Sequence, residues 1–134
     1  MEKEFIPYEQ ALALKELGFE SPYPIGGYKG DRVFYYENGE LYYDGRPMYS
    51  SDAHSGQLLA LLYRQAFRWF REKYELYYTI EGSIKEEFQY FVYTYEYEIK
   101  SEELFNTYEK AELKCLKKLI EIVKENNLSQ QDKP

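Results

Sequence analysis

The stretch Arg64–Ile80, "RQAFRWFREKYELYYTI", contains a change of residue spacing that decides the fold class. Up to Tyr74 the apolar residues recur at helical spacing, and three arginines share the opposite side. From Leu76 onward, aromatic and β-branched residues follow one another as they do in a strand. The stretch therefore predicts a helix that passes directly into a strand. Its apolar arc, expected in the core, consists of Leu59, Leu62, Tyr63, Ala66, Trp69 and Phe70, and the arginines expected to face water are Arg64, Arg68 and Arg71.

Local signals outside this stretch predict the remaining elements. Asn38-Gly39 lies between two aromatic and aliphatic runs, a pattern that favours a two-residue type I′ hairpin. Pro7 suits the start of a first helix, Gly18 and Phe19 suit a Schellman cap at its end, and Thr107 can cap a last helix. The sequence thus predicts hairpins at about residues 32–44 and 76–99 and helices at about residues 8–17, 57–74 and 108–125.

The predicted element order is α-β-β-α-β-β-α, which is typical of an antiparallel α+β fold. We expect one domain over residues 1–126, with the hairpins in one sheet and the helices mainly on one of its faces. A flexible tail is expected over residues 127–134.

The second strand of the later hairpin has aromatic residues on both faces. Alternation places Phe91, Tyr93, Tyr95, Tyr97 and Ile99 on one face and Tyr90, Val92, Thr94, Glu96 and Glu98 on the other. We expect the first set in the core. The second set, with its glutamates, is expected at a half-exposed edge.

Tyrosine is the most unusual feature of the composition, since the chain holds 17 Tyr beside 8 Phe and 1 Trp. Both predicted hairpins carry tyrosines on both strand faces, so one core face cannot bury them all. Tyrosine is enriched in protein interfaces because its ring buries a large area while its hydroxyl stays polar. The candidate interaction surface consists of Tyr36, Tyr42, Tyr77, Tyr90, Glu96 and Glu98. A solvated tyrosine-coated sheet without a partner is the alternative.

Charge and cysteine content disfavour several classes of protein. The formal net charge of -7 disfavours a binder of nucleic-acid backbones, whose affinity comes mostly from lysine and arginine. The single cysteine, Cys115, excludes an internal disulfide and lies on the apolar side of the last predicted helix. No stretch approaches the apolar length of a membrane span. We expect a cytoplasmic, soluble protein that does not contact membranes.

Few residues suggest chemistry. His54 is the only histidine, and Asp52 precedes it by two residues in a polar stretch. This pair supports a hydrolase as a distant alternative, although a catalytic triad or a metal motif needs further partners. The glycines of "GGYKGD", residues 26–31, lack the helix and the Lys-Ser/Thr ending of a phosphate loop. The sequence therefore predicts no catalytic residue, cofactor, metal or nucleotide.

The arginines of the central helix could contact a nucleic acid if an aromatic ring beside them stacked on bases. Trp69 projects away from Arg68, however, so one helix does not present the two together. Glu72 lies four residues after Arg68, and Glu75 lies four after Arg71. This spacing favours helix ion pairs on a solvated face.

Three segments carry a resemblance to other proteins: "KEFIPYEQALALKELGF", "QAFRWFREKY" and "TYEKAELKCLKKLIEIVKE". They resemble a family of short uncharacterised proteins of bacterial and phage genomes, whose members share the opening helix, the central block and the closing helix. The family has no assigned activity, so the resemblance implies a single domain and no catalytic residue. It also implies a phage or mobile-element origin.

These observations predict a small acidic module that is not an enzyme. We expect it to bind another protein, or its own copy, through tyrosines of a helix-free sheet face or through an exposed strand edge. The alternative is an acidic mimic of nucleic acid, in which segments such as "EYEIKSEE" occupy the basic groove of a DNA-binding protein.

Overall fold

The computed structural model describes residues 4–19, 33–44 and 57–131. The helices are α1 (Tyr8–Glu16), α2 (Tyr63–Tyr74) and α3 (Tyr108–Gln131), and the strands are β1 (Val33–Glu37), β2 (Glu40–Asp44), β3 (Gln57–Leu59), β4 (Tyr77–Gly82), β5 (Phe88–Tyr93) and β6 (Glu98–Lys100). The α+β class and both hairpins are confirmed. Within the described residues the hairpins belong to two antiparallel sheets, not to the single sheet predicted. The chain divides into two compact units, residues 1–63 and residues 64–134.

The first unit contains a three-stranded sheet with the order β2-β1-β3. Asn38 and Gly39 connect β1 to β2, and both have positive φ angles, 53° and 81°. A type I′ turn requires this conformation at both central residues, so the predicted turn chemistry is confirmed. In the resulting register Tyr36 lies opposite Leu41 on β2 and opposite Leu58 on β3.

The predicted start of the central helix near residue 57 is wrong. Residues 57–59 form β3, which pairs with β1, and α2 begins only at Tyr63. A short apolar run is compatible with either a strand or a helix, and here pairing with a strand distant in sequence decides between them. Leu58, Ala60 and Leu61 are buried, whereas the helical pattern had placed only Leu59 and Leu62 from this run in the core arc.

The first helix ends as its sequence predicts. Gly18 has a φ of 95°, and its N–H donates to the Lys15 carbonyl at 3.0 Å. The Phe19 N–H donates to the Leu14 carbonyl at 2.9 Å, which completes a Schellman motif. Before the helix, the Ile6 N–H donates to the Leu61 carbonyl at 2.8 Å. These bonds fix both ends of α1 within the first unit.

The second unit is built around the sheet β4-β5-β6, on which α3 packs. Thr107 caps α3, since its Oγ1 accepts the Lys110 N–H at 3.1 Å. The helix continues to Gln131, past the predicted end near residue 125 and into the predicted tail, because no Pro or Gly interrupts it before Pro134. Neither α3 nor any other described helix is apolar enough over sufficient length to cross a membrane. The buried residues of α3 are Ala111, Cys115, Leu116, Leu119, Ile120, Ile122 and Val123.

A turn at Thr94–Tyr97 divides the long strand that was predicted between residues 88 and 99. The Thr94 Oγ1 accepts the N–H groups of Glu96 and Tyr97 at 3.2 and 3.1 Å, and the Thr94 N–H donates to the Tyr97 carbonyl at 2.9 Å. Threonine hydroxyls stabilise turns by such local bonds. The chain therefore folds back on itself, and β6 pairs with β5.

The predicted core face of β5 is wrong. Val92 has no exposed surface, and the register places it between Tyr78 on β4 and Ile99 on β6. The face shared by these residues is the one on which α3 packs, while Phe91 and Tyr93 lie on the opposite face. Alternation gave the wrong answer because both faces carry aromatic residues and because the turn puts Ile99 on the same face as Val92.

The helix α2 passes directly into β4, as predicted. Glu75 has a φ of 55°, and its N–H donates to the Arg71 carbonyl at 3.1 Å, which ends the helix. Phe67 stacks on Tyr78 with ring centroids 3.9 Å apart, so α2 lies on the Val92 face of the sheet. Trp69 is partly exposed. The buried residues of α2 are Ala66, Phe67 and Phe70, and its exposed arginines are Arg64, Arg68 and Arg71, as predicted.

Candidate functional site: an acidic tyrosine rim

The face of the second sheet opposite α3 carries a row of side chains across all three strands. Tyr77 on β4 lies opposite Tyr93 on β5, which lies opposite Glu98 on β6. Directly opposite residues of an antiparallel pair project from the same face, with their Cβ atoms about 5 Å apart. The Tyr93 hydroxyl lies 3.0 Å from the Thr79 Oγ1, which orients its ring across the sheet. This row therefore forms a continuous polar-aromatic surface.

The turn between β5 and β6 adds two more rings at the same end of the sheet. Tyr95 is 91% exposed, Tyr97 is 47% exposed, and Tyr77 at the start of β4 is 48% exposed. Glu96 and Glu98 are also exposed. We call the surface formed by the row and the tip of this turn the tyrosine rim and define it by Tyr77, Tyr93, Tyr95, Glu96 and Glu98. Tyr97 lies opposite Thr94 and therefore projects from the Val92 face. The rim combines large apolar rings with two carboxylates and contains no lysine or arginine.

Two of the predicted interaction residues do not face outward as expected: Tyr36 is buried, and Tyr90 is half-buried beside an open cavity. Tyr36 is only 8% exposed, its hydroxyl donates to the Ile6 carbonyl at 2.7 Å, and its ring contacts Tyr8 edge-on. Tyr90 lies on the Val92 face, where its ring stacks on Phe105 with centroids 6.3 Å apart. Burial raises the pKa of Tyr90. The prediction that these two tyrosines face outward is wrong, because packing elements contributed from elsewhere in each unit cover them.

The other predicted residues divide between the two units. Tyr77, Glu96 and Glu98 lie together in the rim. Tyr42 is exposed in the first unit, where its hydroxyl donates to the Glu40 carboxylate at 3.0 Å. Sequence reasoning missed Tyr93, Tyr95 and Tyr97 as surface residues by assigning them to the core. Thr94, with its capacity to bond to N–H groups two and three residues ahead, was the signal for the turn that exposes them.

Burial governs the titration of two side chains on α3. Burial raises the pKa of the Cys115 thiol to about 12, with a smaller contribution from Glu112, so the reactive thiolate is strongly disfavoured. Burial also raises the pKa of Glu112, and Glu109 adds to the effect. Among the described residues no cluster of three or more His, Cys, Asp or Glu side chains could hold a metal ion. His54, Asp52 and the glycines of residues 26–31 lie outside the described residues.

Described residues of the second unit line cavities that open on its surface. One cavity, of about 250 Å³, lies beside Tyr90 and Phe105. Its lining includes basic and acidic side chains in equal number: Lys100, Lys114, Lys118, Glu102, Glu103 and Glu121. Lys118 and Glu121 pair at 3.4 Å. Another cavity, of about 570 Å³, lies along α2 and is lined by Arg64, Gln65, Phe67, Arg68, Arg71 and Tyr78. The first cavity has balanced charge, whereas the second is basic.

Comparisons of the chain with protein-family models, with curated proteins and with solved structures find no match. The resemblance of three sequence segments to short bacterial and phage proteins therefore stays a prediction. What the site can bind follows from its own residues.

Proposed function

We propose that the chain is a protein-interaction module whose tyrosine rim binds a partner protein that presents lysine or arginine next to an apolar side chain. The observation that carries the proposal is the row Tyr77–Tyr93–Glu98, extended at the turn by the exposed ring of Tyr95. Monomeric proteins rarely gather large apolar side chains on one exposed surface unless the surface binds something. The rim has the residue types that dominate protein interfaces.

The chemistry of the partner follows from the charges. Glu96 and Glu98 make the rim negative, and the neighbouring rings present electron-rich faces that attract cations. An arginine or lysine of the partner can therefore bind a carboxylate and lie over a ring in the same contact. A second copy of the chain is a poorer occupant of the rim, because symmetric pairing of two rims would bring like charges together.

The mimicry of nucleic acid has less support than this proposal. A mimic presents an uninterrupted row of negative charges to a basic groove. On the outward face of β6 Glu98 is followed by Lys100, which is also exposed, so the row is broken. Tyrosine rings at the centre of the rim favour binding of mixed apolar and basic groups.

Selection of peptides on the intact chain tests the proposal. We expect a random 12-residue peptide library to yield binders enriched in lysine or arginine together with apolar residues. Their affinity should fall at least about tenfold for the triple variant Tyr77→Ser, Tyr93→Ser, Tyr95→Ser, since each change removes a ring from the contact. The matched control replaces three exposed apolar residues that lie outside the rim: Leu12→Ser, Ile84→Ser and Leu104→Ser.

The control variant separates the rim from general surface hydrophobicity. Equal loss of peptide binding in both triple variants would contradict the proposal. A dimer seen by analytical ultracentrifugation, dissociated by the tyrosine variant alone, would instead assign the rim to self-association. If the selected peptides are basic, bind in a salt-sensitive way and bind the tyrosine variant as well as the wild type, the result would favour mimicry of nucleic acid.

A further inference from the structure

The basic groove along α2 is not explained by the ion pairs that the sequence predicts. Arg68 pairs with Glu72 at 2.7 Å, as expected from their spacing. The pair predicted between Arg71 and Glu75 does not form, because α2 ends at Tyr74 and the left-handed Glu75 leaves the helix axis. Within the described residues neither Arg71 nor Arg64 has an ion-pair partner.

The three arginines line one groove. Arg64 and Arg71 are seven residues apart, which corresponds to about 10 Å along a helix, and Arg68 lies between them. All three border the same opening of about 570 Å³ beside Tyr78. Burial raises the pKa of Tyr78, Tyr108, Glu112 and Cys115 add to the increase, and the Arg71 charge opposes it, which places Arg71 close to this tyrosine. Three arginines thus border one opening, and within the described part of the chain only Arg68 among them is paired with a carboxylate, that of Glu72.

The net charge of -7 overstates how strongly the surroundings of the basic groove repel an anion. Residues 64–134 hold 12 Lys and Arg against 14 Asp and Glu, so most of the charge of -7 belongs to residues 1–63. The groove is therefore a local basic site on a nearly neutral unit.

We propose that this groove binds a ligand with two or three linked phosphate groups, such as a nucleoside triphosphate or free tripolyphosphate. Arginine binds phosphate oxygens through two parallel N–H groups, and it keeps its charge at every physiological pH. A single phosphate is too small to reach guanidinium groups spread over about 10 Å, whereas a chain of phosphates can contact two or three of them. This departs from the expectation, based on total charge, that the chain has no nucleotide ligand.

Isothermal titration of the full chain tests the proposal with tripolyphosphate, ATP, adenosine and a 12-nucleotide single-stranded DNA. We expect binding of tripolyphosphate and ATP, and none of adenosine. Arg64→Gln with Arg71→Gln should weaken tripolyphosphate binding at least about tenfold, because each arginine supplies charge-assisted hydrogen bonds. The matched control, Lys110→Gln with Lys117→Gln, removes the same charge from exposed positions of α3 and should change affinity by less than about twofold.

The arms of the titration separate the sources of the phosphates. Tighter binding of ATP than of tripolyphosphate assigns a nucleotide, and equal binding assigns the phosphate chain alone. Equal weakening in the arginine and lysine variants would overturn the proposal, since only net charge would then matter. Binding of the DNA more tightly than of tripolyphosphate would also overturn it and assign a single-stranded nucleic acid. Unchanged thermal unfolding of the variants shows that lost binding is not lost folding.

Discussion

The substitution Val92→Thr tests which face of the second sheet is the core. Val92 has no exposed surface and lies between Tyr78 and Ile99 on the face against α3. Threonine has nearly the same shape, so the change replaces one buried methyl by a hydroxyl without leaving a cavity. Loss of the methyl costs about 0.8 kcal/mol, and burial of a hydroxyl without a designed partner costs about 1–3 kcal/mol. We expect the free energy of unfolding to fall by about 2–4 kcal/mol.

The matched control is the opposite exchange on the opposite face. Thr79 is exposed, and Thr79→Val loses only the solvent-accessible contact with the Tyr93 hydroxyl. Its effect should stay within about 0.5 kcal/mol. Urea unfolding followed by fluorescence of Trp69, the one tryptophan of the chain, reports on the second unit. The expected loss moves the midpoint by roughly 1 M. A Val92→Thr protein as stable as the wild type, or a larger effect of Thr79→Val, would refute the assignment of the two faces.

Two further predictions concern packing and pH. Gly82→Ala should destabilise the second unit by about 1–3 kcal/mol, since a Cβ at this position would meet the Phe88 ring and push it from its edge-on contact with Tyr108. In a Phe88→Ala background, urea unfolding should show that Gly82→Ala lowers the free energy of unfolding by less than it does in the wild type. Equal destabilisation by Gly82→Ala in both backgrounds would contradict the clash. Glu112 has a raised pKa in the folded protein, mainly through burial, so its contribution favours folding below its unfolded pKa and is lost as pH rises through the folded pKa. Glu112→Gln should therefore raise the melting temperature relative to the wild type at pH 7 but not at pH 4, and an equal effect at both values would show that the carboxyl titrates normally.

Short-range chemistry accounts for the parts of the fold that were predicted correctly. The turn at Asn38-Gly39, the Schellman motif at Gly18 and the Thr107 cap each depend on bonds within a few residues. The parts that were wrong depend on pairing across the chain. Residues 57–59 form a strand because they pair with β1, which is distant in sequence. No local sequence pattern indicates this pairing. The face of β5 was decided by the packing of α3, since its own sequence is aromatic on both sides.

The sequence predicts that exposed tyrosines form the candidate site, but it identifies only some of the residues of that site. A surplus of tyrosine over core capacity follows from composition alone, and Tyr77, Glu96 and Glu98 were placed correctly on the surface. Tyr95 was assigned to the core because strict alternation was extended through Thr94, where the chain turns. A turn formed by one hydroxyl and two N–H groups is a small local feature, yet it moves every following residue to a new position in the sheet.

The tyrosines of the chain show why their number alone does not locate a binding surface. The Tyr36 hydroxyl reaches a main-chain carbonyl at 2.7 Å, so the ring is buried at no cost of an unpaired polar group. Tyr90 is covered in part by its stack on Phe105. Tyr95 has neither kind of cover and is 91% exposed. A tyrosine side chain is therefore most exposed to a partner where the fold supplies neither a ring that covers it nor a buried acceptor for its hydroxyl. Within the described residues of the second unit that condition is met most fully at the turn of the rim, and this is why the binding proposal rests on the rim and not on the tyrosine content as a whole.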